Sequence, residues 1–177
     1  MNYLSTRDKS LNFSFKDIFL RGLAPDGGLF LPEKIKRYDL KELESLSKLS
    51  YTDLATEIIF NFCSNDITRE KLKILIKKSY SSFSEENVVN LKSIGNINLL
   101  ELYHGPTLAF KDIAMQVIGN MYEELNVAHK KKVNIIVATS GDTGSAAISA
   151  LNNRKNINLF VLHPHNKISS IQRKIMT

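Results

Sequence analysis

Residues 133–148 read VNIIVATSGDTGSAAI, and this stretch decides the fold class of the chain. Val133–Ala138 is a short apolar run rich in β-branched residues, which is typical of a buried strand. The small residues that follow form a turn, and the run beginning at Ser145 has the composition of a helix. A strand that passes through a turn directly into a helix is typical of α/β proteins with a parallel sheet.

The same alternation continues on both sides of this stretch. Predicted strands cover Ile97–Leu102, Val133–Ala138 and Ile157–Leu162, and predicted helices cover Asp112–Leu125, Ser145–Asn152 and Ser169–Met176. The first half is mostly helical in its periodicity, over Phe15–Leu20, Asp39–Leu49, Tyr51–Cys63 and Ile67–Phe83. We therefore expect an α/β chain in which a helical N-terminal domain, residues 1–84, precedes an incomplete parallel α/β sheet domain, residues 92–177. The polar segment Ser84–Asn96 would join them.

A second motif, HGPTLAFKD at residues 104–112, places Lys111 directly after the aromatic Phe110. The motif lies where a predicted strand gives way to a helix. A lysine held against apolar neighbours loses hydration, which favours the neutral amine that can attack an aldehyde. The alternative is a solvated lysine at a helix start, and this motif alone leaves both interpretations open.

The turn at residues 139–145 has the features of an anion site. Gly141 and Gly144 let the backbone approach a ligand, and the first turn of the following helix offers unpaired N–H groups. The hydroxyl groups that could donate as well belong to Thr139, Ser140, Thr143 and Ser145. Alternatively, the polar residues only cap the helix; the candidates are Ser140, Asp142 and Thr143. Since ligands bind beyond the carboxyl ends of parallel strands, we expect this loop on the same edge as Lys111, a pairing that favours chemistry on an anionic amino acid.

The composition is that of a soluble globular protein, with 43% hydrophobic and 24% charged residues among 177. No apolar run approaches the roughly 20 residues that span a bilayer, and the N-terminus lacks a secretory pattern, so we expect no membrane partner. The single cysteine, Cys63, lies among apolar residues, which predicts a buried thiol in a reducing compartment. We therefore expect a cytoplasmic protein.

The net charge of +6 raises nucleic-acid binding as an alternative. The basic residues are dispersed, however, and the one tight cluster, His129–Lys132, falls in a predicted loop. Neither a zinc-ligand spacing nor an RNA-binding aromatic signature is present. We expect no nucleic-acid partner and no metal, whereas a modest positive field suits a phosphorylated small molecule.

The motif at 104–112, together with SGDTG at 140–144, closely resembles the threonine synthase family. These are pyridoxal phosphate enzymes of fold type II, the fold of the tryptophan synthase β subunit. STR at 5–7, GLAPDGGLF at 22–30 and the segment Pro164–Gln172 resemble the same family in order and spacing. The glycine-rich N-terminal segment separates the chain from cysteine synthase and threonine dehydratase.

The resemblance implies that Lys111 carries pyridoxal 5′-phosphate as a Schiff base and afterwards transfers protons. The reaction would convert O-phospho-L-homoserine and water to L-threonine and phosphate, the last step of threonine biosynthesis. The cofactor-binding residues that it implies are Lys111, Phe110 and Asp142, with Asp142 near the 3′-oxygen. The substrate-binding residues are Ser140, Gly141 and Thr143 for the carboxylate, and Lys167 and Ser169 as candidates for the phosphate.

The chain departs from the family in length. Gly144 is its last glycine, so the later glycine-rich loop for the cofactor phosphate is missing, as is a partner for the pyridine nitrogen. We therefore expect the N-terminal part of the enzyme, from a partial gene or a truncated chain, to be inactive in isolation. The alternatives are a non-catalytic remnant or interaction domain, or another fold-type II amino-acid lyase. Oligomeric state is not predicted.

Overall fold

The computed structural model describes residues 1–126, 132–165 and 167–176. The chain divides into two compact units, Met1–Lys77 and Lys78–Thr177. The domain limits 1–84 and 92–177 remain a prediction. Most of the basic cluster predicted at His129–Lys132 lies outside the described residues.

The first unit contains the predicted helices with well-defined starts. Their bounds are Phe15–Arg21 for α1, Leu40–Leu46 for α2, Tyr51–Cys63 for α3 and Arg69–Tyr80 for α4, which continues into the second unit. Helix α3 has the predicted bounds, and Ser50 caps it, because the Ser50 hydroxyl accepts a hydrogen bond from the Asp53 N–H. Ser14 and Asp39 cap α1 and α2 in the same way.

A small antiparallel sheet accompanies these helices and was not predicted. Its strands are β1 (Tyr3–Ser5), β2 (Asn12–Phe13) and β3 (Phe30–Pro32), in the order β2-β1-β3. Strands of two or three residues are too short to produce a period of two in the sequence. The buried Ser5 hydroxyl contacts both carboxylate oxygens of Asp26, at 2.7 and 2.8 Å, which connects β1 to the turn before β3.

The second unit begins with a hairpin that corrects one prediction. Strand β5 (Ile97–Glu101) was expected in the parallel sheet, but it pairs antiparallel with β4 (Asn90–Ile94), in a segment predicted to be a linker. Gly95 and Asn96 form the two-residue turn between the strands, and Gly95 has a φ of +59°. Glycine followed by asparagine between two short apolar runs is a hairpin signal that the strand–helix alternation obscured.

The parallel part of the unit agrees with the prediction. Strands β6 (Val133–Ala138) and β7 (Ile157–Leu162) pair in parallel and have the predicted bounds. Helix α6 (Asp142–Leu151) connects them and buries Leu151 against one sheet face. The core around it consists of Ala147, Ala150 and Leu151, with Met115, Tyr122, Ile135, Val137, Ile157 and Leu159 packed against them. Helix α6 begins three residues earlier than predicted, and α7 covers Ser170–Met176.

Helix α5 (Asp112–Leu125) also has its predicted bounds, and it packs closely on α6. A Cβ at Gly119 would lie 2.5 Å from the carbonyl oxygen of Ala150, so a side chain there would force the helices apart. The Gln116 amide donates to the Ser149 hydroxyl at 3.1 Å. These contacts fix the two helices whose N-terminal ends carry the motifs at 104–112 and 139–145. Among the described residues, no helix is both long enough and apolar enough to cross a bilayer.

Candidate functional site

A buried carboxylate organises the loop that carries Lys111. Asp112 is fully buried, and its two oxygens accept hydrogen bonds from the N–H and the hydroxyl of Thr107, each at 2.7 Å. Leu108, between them, has a φ of +59°, a region that L-residues rarely adopt. A Cβ at Gly105 would lie 2.5 Å from the Asp112 Cβ. Asp112 therefore does more than begin α5, because it closes the whole loop onto the helix N-terminus.

Lys111 is the residue that immediately precedes α5, and it is half-buried. Its Nζ lies 4.1 Å from the centroid of the Phe110 ring, a cation–π contact. Phe110 is 56% exposed, so its ring lies at the surface of the unit.

Two cavities meet at Lys111. The first has a volume of about 340 Å³ and polar walls, formed by Lys111, Ala138, Thr139, Ser140, Gly141, Asp142, Thr143 and Gln172. The second has a volume of about 350 Å³ and apolar walls, formed by Leu102, Phe110, Lys111, Ile113, Ala114 and Met115. Lys111 and the turn at 139–145 therefore lie together, as expected. The prediction that they share one edge of a parallel sheet is wrong, because β5 pairs with β4 in a sheet separate from β6 and β7.

The turn is held by Thr139, whose role the sequence did not reveal. Its Oγ1 accepts hydrogen bonds from the N–H groups of Gly141, at 3.1 Å, and Gly144, at 3.0 Å. The alternative in which Ser140, Asp142 or Thr143 only caps α6 is wrong, because the cap position is Gly141, which has no side chain to accept a hydrogen bond from the helix N–H groups. Within the described part of the chain, no acceptor meets the N–H groups of Ser140, Asp142 or Thr143. These groups lie at the positive end of the helix dipole and can bind an anion.

A glutamine from α7 completes the wall of the polar cavity. The Gln172 amide nitrogen donates to Asp142 Oδ1 at 3.3 Å and lies directly over the Cα of Gly141. Two predicted phosphate ligands, Lys167 and Ser169, are not among the described residues that line this cavity. The Ser169 hydroxyl instead accepts a hydrogen bond from the Gln172 N–H at 3.1 Å.

His104 belongs to a cluster behind the loop. Its Nε2 lies 3.2 Å from a carboxylate oxygen of the buried Glu101, whose other oxygen pairs with Lys92 at 2.7 Å. The hydrogen bond from Lys92 holds the pKa of Glu101 below its ordinary value, and hydrogen bonds from Tyr103 and His104 act in the same direction. This geometry indicates that His104 helps to fix the loop through its contact with Glu101. The described residues contain no group of three or more His, Cys, Asp or Glu residues that could hold a metal.

Comparison with known proteins identifies the family that shares these features. Residues 2–80 match the family model described as threonine synthase N terminus. The chain is 41% identical to a threonine synthase from Pseudomonas aeruginosa over 100% of its own length and 38% of the relative's. It is also 41% identical to threonine synthase-like 2 from Mus musculus, over 100% of its own length and 37% of that protein's. The chain therefore spans less than two-fifths of the length of both these relatives.

The solved structures agree with the sequence comparisons. A PLP-bound threonine synthase from Brucella melitensis superposes with a TM-score of 0.93 at 36% identity, over 100% of this chain and 38% of that one. The similarity covers both the N-terminal unit and the unit with the lysine loop. The chain thus belongs to the threonine synthase family, with the fold of an α/β pyridoxal phosphate enzyme, and corresponds to the N-terminal part of those proteins.

Proposed function

We propose that this chain provides the cofactor lysine and the carboxylate-binding loop of a pyridoxal phosphate-dependent threonine synthase. The reaction would convert O-phospho-L-homoserine and water to L-threonine and phosphate. The observation that carries the proposal is the polar cavity that Lys111 shares with the loop 139–143. An amine beside N–H groups that meet no acceptor among the described residues suits an amino acid that reacts at its α-amino group while its carboxylate is held.

The residues around Lys111 fit the cofactor. An apolar cavity lined by Phe110 adjoins the amine on one side, which suits a planar aromatic ring, and the polar cavity adjoins it on the other. Lys111 would hold the cofactor covalently through Nζ, with Phe110 and Asp142 beside it. When bound, pyridoxal phosphate supplies an electron sink that stabilises carbanions of the amino-acid substrate.

The chain's own groups would bind and orient the substrate and transfer protons. The N–H groups of Ser140, Asp142 and Thr143 would bind and orient the substrate carboxylate, with the hydroxyls of Ser140 and Thr143 as further donors. Once released by the substrate amine, Lys111 Nζ would accept and return protons at the substrate carbons. The cation–π contact with Phe110 keeps this amine at the junction of the two cavities. Lys167 and Ser169 remain candidates for the substrate phosphate.

We infer that the whole activity requires more polypeptide than these 177 residues. The chain spans 38% of the Pseudomonas relative, and no glycine follows Gly144 to form a second phosphate-binding loop. We also propose a cytoplasmic location, because the one cysteine of these 177 residues is a buried free thiol, which suits a reducing compartment. A non-catalytic role is the second candidate, because the chain spans only 38% of the Pseudomonas relative.

The test is chemical labelling of the 177-residue chain. Pyridoxal phosphate is added over a concentration range, adducts are reduced with borohydride, and peptide mapping gives the labelled fraction at each lysine. We expect Lys111 to be labelled at lower cofactor concentration than Lys48, an exposed lysine of the first unit that reports nonspecific reaction. Lys111→Ala should abolish only the high-affinity labelling, and the chain alone should not release phosphate from O-phospho-L-homoserine.

Two results would contradict the proposal. Equal labelling of Lys111 and Lys48 would remove the cofactor site and leave the non-catalytic alternative. Rapid phosphate release by the chain alone would show that the missing cofactor-phosphate loop is dispensable.

A further inference from the structure

Asp142 places a negative charge beside the proposed anion loop. It is the first residue of α6, next to the N–H groups of Ser140 and Thr143, which have no acceptor in the described part of the chain. Carboxylates near helix N-termini are stabilised by such N–H groups and by the helix dipole. An unrestrained Asp142 could therefore turn onto the loop and compete with a substrate carboxylate.

In the structure, Asp142 instead bonds to Gln172. The Gln172 Nε2 donates to Asp142 Oδ1 at 3.3 Å, and the N-terminus of α6 has no side-chain cap at Gly141. The other end of the same amide is also engaged, since Oε1 accepts from the Ser169 N–H at 3.4 Å and from its hydroxyl at 3.3 Å. Because a donor faces the amide oxygen and an acceptor faces the amide nitrogen, only one orientation of the amide satisfies both ends.

Gly141 allows this arrangement. A Cβ at Gly141 would lie 2.2 Å from the Gln172 Nε2, so the amide occupies the space that any other side chain would fill. The amide thus lies on the loop backbone and on Asp142 at once, and it forms part of the wall of the cavity that contains Lys111.

We propose that Gln172 is a positioning residue that keeps the anion loop available by holding the Asp142 carboxylate away from the loop N–H groups. The inference rests on the proposed function, because it concerns the loop that would bind the substrate carboxylate. The inference gives α7 a role in substrate affinity. Among the described residues of that helix, only Gln172 lines the cavity. The role is separate from any direct contact with the substrate.

The experiment uses the ¹⁵N-labelled 177-residue chain and O-phospho-L-homoserine as the probe. Its dissociation constant is measured from the amide shifts of Ser140 and Thr143 in wild type and variants. Gln172→Leu removes the amide at similar volume, and we expect about tenfold weaker binding, the effect of one hydrogen bond to a charged group. Ile171→Ala, a neutral change at an exposed neighbour on α7, should bind as the wild type does.

Removing the Asp142 charge shows whether Gln172 acts by positioning Asp142 or only by supporting the fold. Asp142→Asn alone should bind the probe at least as tightly as the wild type. The double variant D142N/Q172L should bind within about twofold of D142N, because no carboxylate remains to occupy the loop. This rescue is not expected if Gln172 only supports the fold.

The outcomes separate the two proposals. If the wild-type amides do not respond to the probe, the carboxylate loop of the proposed function is wrong. If they respond and Q172L binds as tightly as wild type, only the role of Gln172 is wrong. If Q172L and the double variant are equally weak, Gln172 acts through the backbone of Gly141, and the positioning of Asp142 is refuted. Should Q172L fail to fold, weaker binding by D142N would still overturn the inference.

Discussion

The most informative perturbation is Asp112→Ala, since it tests what holds the lysine loop in place. Asp112 is fully buried and forms two hydrogen bonds of 2.7 Å with Thr107, across a loop that contains Leu108 in a rare backbone conformation. Without the carboxylate, the Thr107 N–H and hydroxyl lose their acceptor, and the loop loses its two side-chain hydrogen bonds to the start of α5.

The magnitude follows from the two hydrogen bonds. Each bond to an ionised acceptor contributes roughly 1.5 kcal/mol or more, so Asp112→Ala should lower the free energy of unfolding by about 3 kcal/mol. Asp112→Asn is the matched variant, because its amide oxygen can accept from the Thr107 N–H while its amide nitrogen donates to the Thr107 hydroxyl. Two neutral bonds then replace two charge-assisted ones, and the loss should be about 1 kcal/mol.

Urea unfolding measures the change in the free energy of global unfolding, and hydrogen exchange at the Thr107 amide measures the change in the free energy of local opening. A local loss of about 3 kcal/mol corresponds to exchange that is faster by about two orders of magnitude. Thr107→Ser keeps both donors and serves as the control. The reasoning is refuted if Asp112→Ala costs less than about 1 kcal/mol, or if the Ala and Asn variants are equally destabilised, since the geometry of the two bonds would then be irrelevant.

Two further predictions concern the first unit. Burial raises the pKa of the Tyr3 phenol from 10.0 to about 12 and that of the Cys63 thiol from 9.0 to about 11. Both groups lose their protons more readily in the unfolded chain, so their contribution to the free energy of unfolding is complete below about pH 9 and is lost as the pH rises towards 12. Urea unfolding at a series of pH values should show this decrease in the free energy of unfolding. A free energy of unfolding that does not change with pH in this range would contradict the prediction. A Cβ at Gly28 would lie 2.2 Å from the Ser5 hydroxyl oxygen, so Gly28→Ala should cost about 2 kcal/mol in the same assay. The double variant with Ser5→Ala should cost less than the sum of the single ones, because it removes the clashing atom; strict additivity would argue against the clash.

Regular elements of the fold were predictable where the side chains alone determine them. The bounds of α3, α5, β6 and β7 agree with the sequence periodicity, because each element buries one face over several turns or alternations. The three-stranded sheet was missed because its strands are two or three residues long. The pairing of β5 was wrong because an isolated apolar run does not reveal its partner, and the Gly95 turn that does so lay in a segment assigned as a linker.

In the candidate site, too, residues with a local sequence signal were predictable, and contacts between residues distant in sequence were not. Lys111 and the loop 139–143 were found because turn residues and a lysine beside an aromatic ring are local signals. The sequence identified Thr139 only as one of several hydroxyl residues in the turn. Its role in holding the turn was not predictable, because its two hydrogen bonds depend on the backbone conformation of the residues that follow it. Gln172 had no signal of its own, because its contact with Asp142 joins residues 30 positions apart.

The geometry between Lys111 and the loop follows from one close helix contact. Lys111 immediately precedes α5, and Gly141 immediately precedes α6, so the packing of these helices sets the separation of the two motifs. Gly119 lets the α5 backbone approach the Ala150 carbonyl of α6 to a distance that any side chain would prevent. The contact lies wholly within these 177 residues, so the chain needs no further polypeptide to bring the amine and the anion loop together.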